Sequence, residues 1–227
     1  MAEEKGVEAV ERALKILECF NSENREVSLA ELSRLTGFYK STILRLCVSL
    51  ERFGYLHRGN SGLFRLGPAA WRLGSCYRQA FDLADMLRPE LRILCEATNE
   101  TASFYIREGE SRICLYRVEP ARAIRHSITE GADMPVNQGA SGKILLAFSG
   151  AEEDSFADIR SEGYAVSLGE RDAEVAAVSM PLFAQTGRLV GALAVSGLIT
   201  RFKTDRIEGL VTALKQSQQR LVNQISN

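Results

Sequence analysis

The segment Asn137 to Ile144 carries four small residues and a lysine in a spacing close to that of a phosphate-binding loop. That loop needs glycine where Asn137 stands and serine or threonine where Ile144 stands, so we expect neither phosphate cradling nor magnesium binding here. The small residues can still open a helix, whose free N–H groups and positive dipole end would receive a carboxylate. The other interpretation is a tight turn with close backbone packing, and the residues alone leave both open.

An activated nucleophile would be a second kind of chemistry. The nearest match to the G-x-S-x-G pattern of serine hydrolases is Gly139 to Gly142, which is one residue short. The sequence has only two histidines, His57 and His126, and they fall in different predicted domains, so no Ser/His or Cys/His pair is expected. His126 falls in a predicted strand, where a lone histidine is usually structural. We expect no enzyme activity; a hydrolase with Ser141 as nucleophile and Lys143 as base is a minor alternative.

Metal and cofactor sites are not predicted either. The five cysteines are widely spaced, odd in number and never arranged as C-x-x-C, which argues against a disulfide framework and a zinc site. We expect small buried hydrophobic residues at these positions, which are Cys19, Cys47, Cys76, Cys95 and Cys114. The charged runs 152–154 and 170–172 are predicted to be solvated turns.

The basic residues are concentrated in one part of the chain. Residues 34–78 hold eight lysines and arginines but only one acidic residue, Glu51, while the whole chain has a net charge of −1. Such a block is typical of a surface that binds a polyanion, most commonly nucleic acid. The chain is 45% apolar, enough for a sizeable core, but no apolar run approaches the ~18 residues of a membrane span. The charged start at Met1 to Lys5 does not resemble a secretory signal, so a cytoplasmic location is expected.

Residues 1–67 predict three short helices followed by a hairpin. The first helix has apolar residues at helical spacing, namely Val7, Val10, Leu14, Leu17 and Phe20. The second begins at a capping box, with Ser28 three residues before Glu31, and closes at Gly37. The third begins near Tyr39 and ends at Gly54, with a polar and basic outer face.

Two helices joined by a tight glycine-containing turn form a helix-turn-helix, whose second helix fits the major groove of DNA. Two short strand-like runs, 55–58 and 63–66, flank the turn sequence Gly59-Asn60-Ser61-Gly62 and predict a hairpin with a basic tip. The order of these parts predicts a winged helix-turn-helix.

Residues 68–87 predict a linker helix that begins at Pro68. Apolar residues repeat along it with alternating spacings of three and four, at Ala70, Leu73, Tyr77, Ala80, Ala84 and Leu87. This short stripe suits a dimerising helix, and the alternative is a helix packed on its own domain.

Residues 88–227 predict an α+β domain. A helix at 91–97 precedes strands at 101–107, 111–118 and 123–129, a helix follows Gly139, and further strands occupy 164–167, 175–183 and 189–195 before a last helix at 204–224. Tight turns between consecutive strands imply an antiparallel sheet with packed helices.

The ordered series of motifs is similar to that of the isocitrate lyase regulator (IclR) family of bacterial transcription factors. The resemblance covers nearly the whole chain, and its motifs are Val10 to Leu14, Gly37 to Arg45, Gly54 to Leu56, Gly139 to Ala147, Gly163 to Ala165, Pro181 and Val195 to Gly197. It implies a winged-helix domain that binds operator DNA, a linker helix and a GAF-like domain that binds a small effector. It also implies homodimers, which often pair into dimers of dimers.

The same resemblance implies two sets of site residues. The DNA-binding positions are Tyr39, Lys40, Ser41, Thr42 and Arg45 in the recognition helix, and Arg58, Asn60 and Arg65 in the wing. The effector-binding positions are Ala123, His126, Met134, Ala140, Ser141, Ser167, Val175, Ala177, Ala194 and Ser196. Ser167, Ala177 and Ala194 replace an acidic residue, a cysteine and a serine of the best-known pattern, which argues against a glyoxylate-like or pyruvate-like effector.

The sequence therefore predicts a ligand-responsive, DNA-binding transcription regulator. Its effector is expected to be a small organic acid whose carboxylate sits on the N–H groups near Ala140 and Ser141, and its partner is expected to be double-stranded operator DNA. The alternative from another class is a small-molecule-sensing module whose basic helix meets an acidic protein.

Overall fold

The computed structural model describes residues 6–21, 24–80, 83–150 and 154–225. The chain divides into two compact units, residues 1–81 and 82–227. The charged run at Glu152 and Glu153 lies outside the described residues.

The first unit is a winged helix-turn-helix, as predicted. Its elements are α1 (Glu8–Leu17), α2 (Leu29–Thr36), α3 (Lys40–Arg52), β1 (Leu56–Arg58), β2 (Phe64–Leu66) and α4 (Pro68–Ala80). The Ser28 hydroxyl accepts a hydrogen bond from the Glu31 backbone N–H at 3.1 Å, so the predicted cap is formed. Gly37 ends α2 with a φ of 72°, in the left-handed region that glycine adopts without strain.

The core of this unit lies where the three helices meet the wing. Its buried residues are Ile16, Val27, Leu32, Ile43, Cys47, Leu50, Leu56 and Phe64. Val27, just before α2, forms an isolated bridge with Phe64 of β2, which joins the wing to the helix-turn-helix. The apolar residues of the three helices reach this core because residues three and four apart lie on one side of a helix.

The predicted helix over 68–87 is divided between two elements. α4 is described as far as Ala80 in the first unit, residues 81 and 82 lie outside the described residues, and α5 (Ala84–Thr98) follows in the second unit after its N-cap at Leu83. Leu87 is buried within the second unit, whereas Leu73 of α4 is exposed. The two ends of the apolar stripe thus lie in different helices.

The second unit is an antiparallel sheet with packed helices, which confirms the predicted fold class. Its six strands are β3 (Thr101–Glu108), β4 (Ser111–Val118), β5 (Asp133–Pro135), β6 (Ala165–Leu168), β7 (Val175–Phe183) and β8 (Leu189–Leu198), in the order β5-β4-β3-β8-β7-β6. Its other helices are α6 (Gly139–Ala147), α7 (Ala157–Glu162) and α8 (Thr204–Val222). α5 and α8 contact each other and the sheet, while α6 packs on the sheet face that carries Tyr105, Cys114 and Ala194.

Two local predictions were wrong. Residues 123–129 form a loop, because the backbone carbonyl of His126 accepts hydrogen bonds from the side chains of Thr101 and Arg117 instead of a neighbouring strand. Cys76 is exposed on α4 and Cys19 is only half-buried, whereas Cys47, Cys95 and Cys114 are buried as expected.

Candidate functional site

The first candidate site is the exposed face of α3. Ile43, Cys47 and Leu50 turn one side of the helix into the core, so the predicted contact positions lie on or near the opposite side. Tyr39 is 84% exposed. Lys40, Ser41 and Arg45 are exposed, and Thr42 is half-buried.

The start of α3 is also electropositive. Its first turn contains no acidic residue, and no side chain caps its N-terminus at Tyr39. The Ser33 hydroxyl donates to the Phe38 carbonyl at 2.7 Å and so fixes the turn that leads into the helix. The positive end of the helix dipole and Lys40 therefore act in the same place.

The wing presents its basic residues on the same unit. Arg58, Asn60 and Arg65 are all exposed. The Arg58 guanidinium lies over the Phe64 ring, 5.1 Å from its centre, which holds the side chain against the hairpin. Glu51, the only acidic residue of the basic segment, accepts from the Arg58 backbone N–H at 3.0 Å, which ties α3 to the wing.

The second candidate site is a pocket of about 420 Å³, counted with its open mouth, in the second unit. It lies between the sheet, the start of α6, the loop around His126 and the loop between β6 and β7. Eight of the ten predicted effector positions surround it: His126, Ala140, Ser141, Ser167, Val175, Ala177, Ala194 and Ser196. Ala123 is exposed in the loop, and Met134 is buried beside α6, so neither lines the pocket.

The structure adds pocket residues that the sequence analysis did not include. These are Tyr105, Arg112, Ile128, Gly139, Arg171, Asp172 and Ala176. Arg112 could have been predicted, because it lies two residues before Cys114 in β4 and alternate residues of a strand point to the same face of the sheet. Arg171 gave no such signal.

The start of α6 is tightly packed and already holds a protein carboxylate. A Cβ on Gly142 would lie 2.1 Å from the Val136 carbonyl oxygen, so only glycine fits there. The Gly139 N–H donates to Glu170 at 3.2 Å, and the same carboxylate pairs with Lys143. Residues 170–172 form an exposed bend, as predicted, and Glu170 reaches the start of α6 from it.

His126 joins two elements across the pocket. Its Nδ1 lies 2.9 Å from the Ser196 hydroxyl, and its Nε2 lies 3.0 Å from a guanidinium nitrogen of Arg171. Because arginine can only donate, Nε2 accepts, and Nδ1 carries the proton that is donated to Ser196. Burial, with the nearby charges of Arg117 and Arg171, lowers the pKa of His126 to about 4, so the ring is neutral at neutral pH.

The geometry does not support the minor alternative of a hydrolase that uses Ser141 and Lys143. Lys143 is paired with Glu170, and the Ser141 hydroxyl accepts from Arg112, so neither side chain is arranged as nucleophile or base. Within the described residues, no group of three or more histidine, cysteine or acidic side chains could hold a metal ion. The helices among those residues are all too short or too polar to cross a membrane.

A winged helix-turn-helix followed by an α+β unit with a polar pocket defines a class of DNA-binding proteins with a separate ligand-binding unit. Family models agree with this architecture: the IclR helix-turn-helix domain matches residues 9–59, and the bacterial transcriptional regulator IclR C-terminal domain matches residues 76–157 and 153–223. The chain belongs to the IclR family of DNA-binding transcriptional regulators, which confirms the resemblance noted in the sequence.

Individual relatives span nearly the whole chain. It is 26% identical to the HTH-type transcriptional regulator XynR of Escherichia coli K12, over 93% of this chain and 94% of that protein. It is 24% identical to the transcriptional repressor IclR of the same strain, over 88% of this chain and 84% of that protein. These relatives are transcriptional regulators and not enzymes.

Solved structures share the fold. An IclR transcriptional regulator from Alicyclobacillus acidocaldarius superposes with a TM-score of 0.80 at 23% identity, covering 96% of this chain and 99% of that one. An IclR homologue from Microbacterium hydrocarbonoxydans, complexed with 4-hydroxybenzoate, superposes with a TM-score of 0.78 at 20% identity, covering 94% and 98%.

Proposed function

We propose that this protein is a homodimeric regulator whose second unit binds a small organic acid and thereby changes the affinity of the first unit for operator DNA. The observation that carries the proposal is the pairing, in one chain, of an exposed basic helix-turn-helix with a polar pocket that contains two guanidinium groups. Because its operator would lie in the bacterial cytoplasm, the proposal also places the protein there.

The DNA-binding role is assigned to α3 and the wing. Lys40, Ser41, Thr42 and Arg45 would contact bases and adjoining phosphates in the major groove, with Tyr39 at its edge. Arg58, Asn60 and Arg65 would contact the backbone beside it. The absence of acidic side chains from the first turn of α3 supports this assignment, because no fixed charge there opposes a phosphate.

The acid-binding role is assigned to the pocket. Arg112 and Arg171 line it together with a single carboxylate, that of Asp172, so its lining favours an anion. The side chains of Val175, Ala177 and Ala194 are apolar and would contact the carbon skeleton of the acid. The neutral ring of His126 and the hydroxyls of Ser167 and Ser196 supply hydrogen bonds.

Dimerisation is assigned to an apolar face of the first unit. α1, the end of α3 and α4 expose Leu14, Phe53 and Leu73, which are 53%, 69% and 58% accessible and line one groove. A contiguous apolar patch of this kind is uncommon on a monomer and marks an interaction surface. We propose that a second copy of the chain covers it, and that such dimers can pair further.

Fluorescence anisotropy with a duplex from the region upstream of the gene tests the whole proposal. Wild-type protein should bind this duplex more tightly than random DNA, and a saturating acid should change the operator affinity by roughly 5- to 150-fold, the usual range of coupling between sites. Equal affinity for both duplexes, with or without acids, would contradict it.

A further inference from the structure

Arg112 is a buried cation without a counterion. It is the second residue of β4, only 5% of the residue is exposed, and its Nε has no hydrogen-bond partner. Among the described residues, no carboxylate oxygen lies within 4.0 Å of its guanidinium, whereas Arg117, Arg201 and Arg220 each pair with a glutamate. A buried charge that lacks a partner is strongly unfavourable, so its presence calls for a physical reason.

The surroundings of Arg112 hold the guanidinium in one place. The Cζ atom of Arg112 lies 5.5 Å from the centre of the Tyr105 ring. One of the guanidinium nitrogens donates a hydrogen bond to the Ser141 hydroxyl. A Cβ on Gly139 would come within 3.2 Å of its terminal nitrogens, so the glycine makes room for the group. The guanidinium is therefore fixed against the first turn of α6, at the wall of the pocket.

The carboxylates nearest the pocket are already engaged elsewhere. Glu170 binds Lys143 and the Gly139 N–H. Asp172 accepts from the Glu174 backbone N–H at 3.0 Å, within its own turn. Burial lowers the pKa of Arg112 and the charge of Arg171 acts in the same direction, while Tyr105 and Glu170 oppose the shift only in part.

The charges that line the pocket leave room for one anion. Arg112 and Arg171 contribute two positive charges, Asp172 contributes one negative charge, and His126 is neutral. Glu170 and Lys143 neutralise each other at the edge of this set. A ligand with one negative charge would balance the lining, whereas a dianion would overcompensate it.

We propose that Arg112 is the residue that holds the anionic group of the effector, and that the effector is a monocarboxylate. The proposal rests on the acid-binding function of the pocket and goes beyond it by naming the anchor and the charge of the ligand. The carboxylate would complete the hydrogen bonding of a guanidinium that Tyr105, Gly139 and Ser141 already hold in position. Binding is then selective for acids over their amides, which have the same shape but no charge.

The experiment compares wild type with Arg112→Gln, which can still donate to Ser141 but has no charge, and with Arg112→Lys, which keeps a charge. Arg188→Gln is the matched control, because Arg188 is an exposed arginine in the turn between β7 and β8 of the same unit. Butanoate and benzoate, their primary amides and the dianion succinate are the probes. Calorimetry gives their affinities, and thermal unfolding gives the stability of each variant without ligand.

Wild type and Arg188→Gln should bind an acid about tenfold or more tightly than its amide, as expected for hydrogen bonds to a charged group. They should bind butanoate more tightly than succinate. Arg112→Gln should bind acid and amide within about twofold of each other, and Arg112→Lys should keep part of the preference. Without ligand, Arg112→Gln should melt no lower than wild type, because it removes an uncompensated buried charge.

Two results would overturn the proposal. If wild type binds the acids but Arg112→Gln keeps the same preference for them, Arg112 is not the anchor, and the acid-binding function stands without it. If Arg112→Gln melts several degrees lower and binds acids as before, Arg112 has a structural role only. A wild type that binds no acid more tightly than its amide would instead contradict the proposed function itself.

Discussion

Acidification should destabilise the second unit through His126. The pKa of this ring falls from 6.5 to about 4 on folding, because burial and the charges of Arg117 and Arg171 oppose its protonation. In the unfolded chain the ring takes up its proton as the pH falls through 6.5, while the folded protein holds it neutral until about pH 4. The contribution of the neutral His126 ring to the free energy of unfolding is therefore fully present above pH 6.5 and is lost progressively between pH 6.5 and pH 4.

The size of the effect follows from the two pKa values. Proton linkage gives a loss of about 2 kcal/mol in the free energy of unfolding between pH 8 and pH 5, and about 3 kcal/mol when the loss is complete below pH 4. Protonation would also place a positive ring 3.0 Å from the Arg171 guanidinium, because Nε2 could no longer accept from it.

Amide hydrogen exchange in β7 and β8 measures the opening of the second unit by itself, which matters because a chain of two units need not unfold in one step. Wild type and His126→Gln are compared at pH 8 and pH 5, and His57→Gln, altered at an exposed residue of the first unit, is the control. The loss of opening free energy between pH 8 and pH 5 should be about 2 kcal/mol smaller in His126→Gln than in wild type, and unchanged in His57→Gln. An unchanged difference in that variant would refute the reasoning.

Three further predictions concern other parts of the molecule. Arg45→Ala should weaken binding to operator DNA more than binding to random DNA in anisotropy titrations. An equal loss on both would mean that Arg45 contacts only a phosphate, and the slope of log affinity against log salt concentration should then fall by about 0.9. Gly142→Ala should lower stability by about 1–3 kcal/mol in urea titrations, because its Cβ would meet the Val136 carbonyl, whereas Gly209→Ala, in an open part of α8, should raise it by about 0.5–1 kcal/mol. Leu14→Glu should yield monomers in light scattering, while Leu168→Glu, at an exposed site of the second unit, should leave dimers intact.

Local patterns predicted most elements of the fold, because the interactions behind them span only a few residues. The Ser28 cap, the glycine at position 37 and the strand at 175–183 all depend on a short stretch of chain, and all appear as expected. The loop at 123–129 was missed for the opposite reason. Its sequence resembles a strand, but the carbonyl of His126 accepts hydrogen bonds from side chains of β3 and β4.

The pocket could be predicted only in part. Ten positions were identified through the family resemblance, and eight of them line the pocket. The two arginines that give it a positive character were not identified. Arg112 could have been found from its place in β4, but nothing in the sequence near Arg171 indicates that its side chain reaches a histidine 45 positions away.

The sequence by itself determined the winged helix, the α+β unit and the family, since these depend on periodicity, capping and motif order along the chain. Only the tertiary structure decided that Glu170 occupies the start of α6 and that Arg112 lies buried beside it without a counterion. The physical reason is that the charge of a site is a sum over side chains brought together from β4, α6 and the loop before β7. That sum exists only after the strands have paired.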